Sequence, residues 1–233
     1  MKTVYLVRHG ESEANVDAPL FLGDESVLTE KGKQQARFIA ERAAALSFDA
    51  LIASPVHRAQ ETAHFIAERT GHVFETCSLM AERVMPRELV GKRRDDPKAE
   101  ATYEAWVGTL FDPDKRVGEG ENFDDLKRRA GEALRFLETR PERSLLIVTH
   151  GLFLRTILAR VIFGDGLRPD ELRHFIKATR TTNTGITILA HGAMRAFSGD
   201  SPESRWYIRV YNDHAHLGEV AHHAPLRHQA EGV

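Results

Sequence analysis

Short apolar runs alternate along this chain with segments whose apolar residues recur at helical spacing. Runs of this length, bounded by polar or turn-forming residues, are typical of buried strands. They lie at residues 3–7, 49–53, 73–77, 144–148, 184–190 and 205–211. The predicted helices cover about 29–46, 55–71, 98–111, 122–139, 151–163 and 169–178. This alternation predicts an α/β fold: a three-layer, open, mostly parallel sheet with helices on both faces.

The chain has 233 residues, which fits one domain with a sizeable core. We interpret residues 1–212 as this domain and residues 79–121, where prolines and glycines interrupt the pattern, as its variable part. Residues 213–233 hold five of the 12 histidines and few large apolar side chains. We expect this His-rich segment to be a mobile or loosely docked tail.

Charge and cysteine content exclude several classes of protein. Lys and Arg total 32 and Asp and Glu total 34, so no basic excess indicates binding to nucleic acid or to an anionic membrane. Cys77 is the only cysteine, which excludes an intramolecular disulfide and Cys-rich metal sites. No apolar run is long enough for a secretion signal or a membrane span. We therefore expect a cytoplasmic protein that binds neither nucleic acid nor membrane, and the sequence leaves a monomer or a homodimer open.

The residues that follow the predicted strands indicate where a ligand binds. In open α/β sheets, ligands bind beyond the carboxyl ends of the strands. The first strand leads into Arg8 and His9, the second into the segment that contains Arg58, and the fourth into His150. The sequence therefore predicts that two arginines and two histidines meet at one rim of the sheet.

This set of residue types predicts an anion site with a nucleophile in it. Guanidinium groups match the oxygens of a phosphate, and glycine allows the backbone to approach a ligand, as at Gly10 and Gly151. Ser12 and Asn15 either add neutral hydrogen bonds or only shape the turn. A neutral imidazole is a competent nucleophile. The chain contains neither a P-loop motif nor a His-Glu-x-x-His zinc motif.

Residues 6–15, which read Leu-Val-Arg-His-Gly-Glu-Ser-Glu-Ala-Asn, resemble the signature of the histidine phosphatase superfamily. This family includes cofactor-dependent phosphoglycerate mutases and the bisphosphatase of fructose 2,6-bisphosphate. Four more segments resemble its motifs in the family's order, and they lie at residues 28–36, 53–63, 148–151 and 183–187. The resemblance implies a phosphoglycerate mutase-like fold over roughly residues 2–190.

The resemblance also implies roles for individual residues. His9 is the implied phosphoryl acceptor, and the phosphoryl oxygens are bound by Arg8, Arg58 and His150. Residues in or beside the matching motifs complete the candidate substrate-binding set: Ser12, Asn15, Gly151, Arg83 and Asn183.

An acidic proton donor is implied after the third strand. Glu82, in the run Leu-Met-Ala-Glu-Arg, fits that position. The chain lacks the Gly-rich stretch with which the family often continues, so Glu88 is a competing candidate. The sequence alone does not decide between the two carboxyl groups.

We interpret the chain as a metal-independent phosphomonoester hydrolase without a cofactor, acting on a small phosphorylated metabolite through a phosphohistidine. One alternative is phosphoryl transfer of the phosphoglycerate mutase type. Those enzymes carry paired arginines in this region, whereas residues 103–108 lack them and Arg93-Arg94 come earlier. The other alternative is a non-catalytic module that binds phosphorylated ligands, for which an intact nucleophile and acid are unnecessary.

Overall fold

The computed structural model describes residues 1–16, 18–194 and 203–221, and within these residues six strands form one sheet in the order β3-β2-β4-β1-β5-β6. Their bounds are β1 Lys2–Arg8, β2 Ala50–Ala53, β3 Phe74–Thr76, β4 Ser144–Thr149, β5 Ile186–Met194 and β6 Glu203–Asp213. Strands β1 to β4 are mutually parallel, and β5 runs antiparallel to both of its neighbours. The prediction of an open, mostly parallel sheet is confirmed.

Six α-helices accompany the strands in the described part of the chain. They are α1 Glu30–Ala44, α2 His57–Thr70, α3 Pro97–Gly108, α4 Phe123–Thr139, α5 Gly151–Phe163 and α6 Pro169–Ala178. Three of them begin at side-chain caps: Thr29 accepts a hydrogen bond from the Gly32 N–H, Asp96 from the Lys98 N–H, and Asn122 from the Asp125 N–H. No helix in the described residues is both long and apolar enough to cross a membrane.

The core lies in two layers, one on each face of the sheet. Leu145 and Ile147 of β4 pack with α4, α5 and α6, whereas Leu146 and Val148 pack with α1 and α2. Successive side chains of a strand point to opposite faces, so a continuously apolar strand is buried on both sides. This confirms the predicted three layers.

The loop before β5 brings the chain back to the carboxyl end of β1. The Arg8 N–H donates to the Gly185 carbonyl at 3.3 Å, and the Thr184 N–H donates to the Arg8 carbonyl at 2.9 Å. Because β5 starts at this rim, it must run antiparallel to β1. The loop thereby places Asn183 beside the end of β1.

A short segment near the N-terminus pairs with the variable part of the chain. The Phe21 N–H donates to the Lys92 carbonyl and the Gly91 N–H donates to the Phe21 carbonyl, each at 2.9 Å. Phe21 is buried in a small separate core with Leu89 and Ala99. We call residues 18–24 with 87–108 the cap, and it lies beside the rim, because the Asp24 carbonyl accepts from the first residue of α2 at 3.1 Å.

The packed part of the chain continues past residue 212, where we had placed the end of the domain. β6 ends at Asp213, and Leu217 in the following 3-10 turn is buried. The Asn212 side chain accepts from the Thr182 N–H at 2.8 Å. Residues 222–233, with three of the predicted tail histidines, lie outside the described residues.

Candidate active site

The four residues predicted from the strand ends come together at the rim, and we call Arg8, His9, Arg58 and His150 the rim quartet. Arg8 ends β1, Arg58 lies in the first turn of α2, and His150 immediately precedes α5. All four are buried, with at most 8% of any residue exposed. The ring centroids of the two histidines lie 5.0 Å apart. The prediction that two arginines and two histidines meet at one rim of the sheet therefore agrees with the structure.

His9 is held as a neutral imidazole whose two ring nitrogens have different hydrogen-bond partners. Its Nδ1 lies 2.6 Å from the Gly10 carbonyl, which can only accept, so Nδ1 carries the proton. Nε2 accepts a hydrogen bond from Arg58 Nε at 3.1 Å. Burial, then the charges of Arg58 and Arg8, hold the pKa of His9 well below its usual range. A neutral Nε2 beside two cations can attack an electrophile that brings negative charge.

The arginines are fixed by backbone carbonyls. Arg8 Nη1 donates to the Thr181 carbonyl, and Arg58 Nη1 lies 3.5 Å from the Gly23 carbonyl. A Cβ on Gly151 would lie 3.2 Å from Arg8 Nε and 3.0 Å from the Thr181 hydroxyl, so glycine lets the guanidinium lie against the start of α5. Burial lowers the pKa of Arg58, while the nearby carboxylates, Glu82 foremost, oppose that shift. Arg58 remains a cation, because the pKa of a guanidinium group starts so high.

His150 is oriented by a serine that we had not singled out. Its Nε2 lies 2.7 Å from the Ser54 hydroxyl, which also accepts from the Val56 N–H at 3.2 Å. Burial and Arg58 hold the pKa of His150 well below its usual range. Its Nδ1 is buried with no hydrogen-bond partner in the part of the chain that the structure describes. A buried ring nitrogen in a cationic cluster suits an anionic ligand.

Of the two candidate acids, only Glu82 reaches the rim. Its carboxyl oxygens accept from the N–H groups of Leu152 at 3.3 Å and Phe153 at 3.1 Å, both in the first turn of α5. The carboxyl group therefore lies at the helix N-terminus that follows His150. Glu88 is exposed in a separate 3-10 turn, on the side of Gly118.

The neutral residues of the predicted site form hydrogen bonds to one another and to the backbone of the quartet. Asn183 donates to the His9 carbonyl at 2.9 Å and to Asn15 Oδ1 at 3.3 Å. Ser12 is fully buried and donates from its N–H and its hydroxyl to the same Asn15 oxygen. Its hydroxyl is enclosed in the turn, which favours the alternative that Ser12 shapes the turn over the prediction that it binds substrate. Asn183 positions the backbone of His9.

Arg83 also differs from its predicted role as a substrate ligand. Its Nε donates to the Glu121 carbonyl at 2.9 Å, and its Nη2 donates to the Trp106 carbonyl and the Thr109 hydroxyl at 2.7 Å each. The guanidinium lies 4.1 Å over the Trp106 ring, and burial lowers its pKa to about 10. Neighbouring side chains in this irregular segment point to different sides: Glu82 toward α5 and Arg83 toward α3.

Sequence reasoning missed the residues that hold the quartet in place. Thr62 accepts from the Gly10 N–H at 3.1 Å, and it lies one helical turn after Arg58, a spacing that could have indicated it. Ser54 immediately follows β2 and could have been found by the strand-end rule. Thr181 acts through its backbone carbonyl, which no side-chain pattern predicts. Within residues 1–16, 18–194 and 203–221, no three His, Cys, Asp or Glu side chains form a group that could hold a metal ion.

This chain is similar to known proteins in both sequence and fold, over a range of residues that includes the whole rim quartet. The family described as the histidine phosphatase superfamily (branch 1) matches residues 4–198. A protein named probable phosphoglycerate mutase GpmB, from Enterobacter sp. (strain 638), is 35% identical over 229 residues, or 95% of this chain and 97% of that protein. Among solved structures, Bacillus stearothermophilus YhfR is 28% identical, with a TM-score of 0.75 over 93% of this chain and 100% of that one. The alpha-ribazole phosphatase from Shigella flexneri is 24% identical, with a TM-score of 0.70 over 91% and 96%, and that likeness concerns the fold.

Proposed function

The chain belongs to the histidine phosphatase superfamily, and from that premise we propose that it is a metal-independent phosphomonoester hydrolase that forms a phosphohistidine on His9. The observation that carries this proposal is the neutral His9 ring, whose Nε2 lone pair faces Arg58 Nε at 3.1 Å. Catalysis of phosphoryl transfer rests mostly on positioning and on stabilising charge. The rim quartet supplies both without a metal ion.

Substrate binding changes the partner of one hydrogen bond. Arg58 Nε donates to the His9 Nε2 lone pair, which is the one that must attack phosphorus. A phosphoryl oxygen takes over this N–H, which frees the lone pair when the substrate is in place. In this proposal, Arg8 and the Nδ1 of His150, which has no hydrogen-bond partner among the described residues, bind the other phosphoryl oxygens. The two arginines then offset the charge that would otherwise repel a nucleophile.

In the first chemical step, His9 Nε2 forms a bond to phosphorus as the ester P–O bond breaks. The protonated Glu82 gives its proton to the leaving alkoxide, and the Gly10 carbonyl stabilises the Nδ1–H of the ring as positive charge develops. In the second step, the Glu82 carboxylate takes a proton from water while the water oxygen attacks phosphorus. The N–P bond breaks, and inorganic phosphate and neutral His9 are restored.

Two features of the variable part support hydrolysis over phosphoryl transfer between hydroxyl groups. Arg93 forms an exposed ion pair with Asp95 at 2.6 Å, and the Arg94 guanidinium lies 4.4 Å over the Phe21 ring. The two arginines that could have formed a paired substrate site are therefore used elsewhere: Arg93 in a surface ion pair and Arg94 in packing against Phe21 of the cap. A mutase must also exclude water from its phosphoenzyme, and hydrolysis needs no such closure.

Mutase-type transfer is the second candidate, and one observation favours it: the relative that is 35% identical over nearly the whole chain carries the name of a phosphoglycerate mutase. The two reactions share the phosphohistidine and differ in its acceptor, which is water in one and a second hydroxyl group in the other.

The deciding experiment follows the products by phosphorus NMR. The protein is incubated with a panel of phosphorylated metabolites that includes 3-phosphoglycerate, with and without 2,3-bisphosphoglycerate. We expect inorganic phosphate to accumulate and His9→Ala to abolish it. An isomerised ester at constant inorganic phosphate would establish the mutase instead. Binding of the esters with no reaction would favour the non-catalytic module.

A further inference from the structure

Arg129, a buried arginine of α4, binds the backbone of the segment that carries Glu82. Its Nη1 donates to the carbonyls of Leu79 at 3.1 Å and Ala81 at 2.7 Å, and its Nη2 donates to the Glu82 carbonyl at 3.2 Å. Leu79 lies in a short 3-10 turn, Ser78–Met80, and residues 81–86 belong to neither a helix nor a strand. The carbonyls of Ala81 and Glu82 therefore lack the partners that regular structure provides. The guanidinium group of Arg129 supplies the missing hydrogen-bond donors.

Glu121 completes this arrangement from the loop before α4. Its carboxylate accepts from Arg129 Nε at 2.8 Å and Nη2 at 2.7 Å. The same carboxylate accepts from the Val84 N–H, and the Glu121 N–H donates to the Val84 carbonyl, each at 3.0 Å. The segment is therefore held before Glu82 by Arg129 and after it by Glu121. We call residues 79–84 the acid segment.

Phe153 joins this anchor to the carboxyl group itself. Its ring lies 3.9 Å from the Arg129 guanidinium carbon, and its backbone N–H donates to Glu82 Oε1 at 3.1 Å. The main chain of Glu82 is thus fixed by Arg129 and its carboxyl group by the first turn of α5. Rotation of the acid away from the rim would break both sets of contacts.

We propose that Arg129, paired with Glu121, is a positioning residue that sets where the Glu82 proton meets the leaving oxygen. This inference rests on the proposed function, in which Glu82 is the general acid. The charge of Arg129 contributes to the lowered pKa of His150, a contribution that a lysine would retain. In the described part of the chain, all hydrogen bonds of Arg129 go to the acid segment and Glu121, and none goes to the rim quartet. Its removal should disturb protonation of the leaving group while phosphate binding is retained.

The fork of the guanidinium is required because its donors reach carbonyls and a carboxylate in different directions. A lysine ammonium keeps the charge but presents its donors from one point. Arg129→Lys therefore separates charge from geometry. Glu121→Gln keeps the shape and removes the charge partner, so it tests the same anchor from the other side.

The experiment compares two substrates across these variants. Rates are measured with para-nitrophenyl phosphate, whose leaving group scarcely needs a proton, and with the best alkyl ester of the metabolite panel. We expect Arg129→Lys to slow the alkyl ester by ~10- to 100-fold and the aryl ester by a few-fold, since a misplacement of about 1 Å can cost ~10²-fold. In a Glu82→Gln background, the same change should add no further discrimination between the esters.

Arg128→Lys is the matched control, because Arg128 is the neighbouring arginine of α4 and forms only surface contacts with Asp125 and Glu132. It should leave both rates unchanged. Inhibition by vanadate, which reports on the rim quartet, should stay within about 2-fold in every anchor variant. Equal slowing of both esters, or weaker vanadate inhibition, would overturn the positioning role.

Circular dichroism checks that each variant is folded. If Arg129→Lys does not fold, the comparison of the two esters is made with Glu121→Gln instead. A wild-type protein that releases phosphate from neither ester would refute the proposed function, and this inference with it. A wild-type enzyme that is active, with anchor variants that slow both esters alike, would refute the inference alone.

Discussion

The rim quartet and the acid segment are built in different ways. The backbone around the quartet is held by the ends of regular elements: the His9 N–H donates to the Thr149 carbonyl at 3.0 Å, and Arg58 belongs to the first turn of α2. The acid segment depends on side chains instead. Arg129 binds three of its carbonyls, and the Thr149 hydroxyl donates to a fourth, that of Met80, at 2.8 Å.

In the proposed reaction, this difference separates the binding of phosphate from the placement of the acid. The backbone of the quartet is held by the sheet and its helices, so its arrangement depends on the fold. Placement of the acid depends on a few side chains in the variable part of the chain, so it can change while the quartet stays as it is. Substitutions in the two regions should therefore leave different kinetic signatures.

The largest effect is expected at the nucleophile. His9→Ala should lower turnover by about a thousandfold or more for every substrate, judging from the removal of other catalytic nucleophiles. Wild-type enzyme quenched during turnover should carry phosphate on His9, found by mass spectrometry under alkaline conditions. Phosphate on Ser12, or on no residue in rapidly quenched samples, would break the assignment of the nucleophile.

The next effect tests the quartet as a binder of phosphoryl oxygens. Arg58→Ala should slow alkyl and aryl esters alike, by ~10²- to 10³-fold, because it contacts the phosphoryl group and not the leaving oxygen. Vanadate inhibition should weaken in parallel. If Arg58→Ala slowed the alkyl ester much more than the aryl ester, the rim quartet and the acid segment would not have separate kinetic roles.

The third effect is selective and belongs to the acid segment. Glu82→Gln should slow an alkyl ester by ~10²-fold and para-nitrophenyl phosphate by only a few-fold, since an alkoxide needs a proton and a nitrophenolate scarcely does. Glu88→Gln is the matched control, because Glu88 is exposed and lies in a separate turn. If Glu88→Gln shows the leaving-group signature instead, the acid has been assigned to the wrong carboxyl group.

A smaller effect concerns the pH dependence of the free energy of unfolding, to which the two buried histidines of the quartet contribute. Burial holds the pKa of His9 and His150 well below the usual range, so below about pH 6.5 the unfolded chain binds protons that the folded chain does not. The free energy of unfolding should therefore fall with pH below that point, by up to ~1.4 kcal/mol per pH unit for each histidine.

Urea unfolding from pH 7.5 to 5.5 measures this slope. His150→Asn should reduce it by about the share of one histidine, whereas His57→Asn, at an exposed position, should leave it unchanged. Identical slopes in the wild type and His150→Asn would show that His150 is not buried as a neutral ring.

The proposed function predicts no effect of chelation, because in it the arginines and imidazoles of the quartet take the role of a metal ion. Activity should survive exhaustive treatment with EDTA. A chain that ends at residue 221 is the control for the remaining tail histidines, since ending it at 212 would also remove the buried Leu217. Loss of activity that one divalent ion restores would contradict this prediction.

Local patterns were enough to predict most elements of the fold. All six strands and six α-helices of the described residues lie where apolar period and capping residues indicated, within a few residues at each end. The four residues of the rim quartet were also predictable, because the carboxyl ends of parallel strands share one edge. The direction of β5 was not predicted in advance, since it depends on where the preceding loop crosses the sheet.

The strands of the sheet and the polar groups at their ends could be predicted from the sequence, because both depend on patterns a few residues long. The contacts of the irregular residues depend on the folded chain as a whole. Arg83 faces Trp106 instead of a ligand, Ser12 is enclosed in its turn, and Arg129 reaches from α4 to carbonyls about fifty residues earlier in the chain. The direction of a side chain outside regular structure depends on which distant groups pack around it, and no local period encodes that packing.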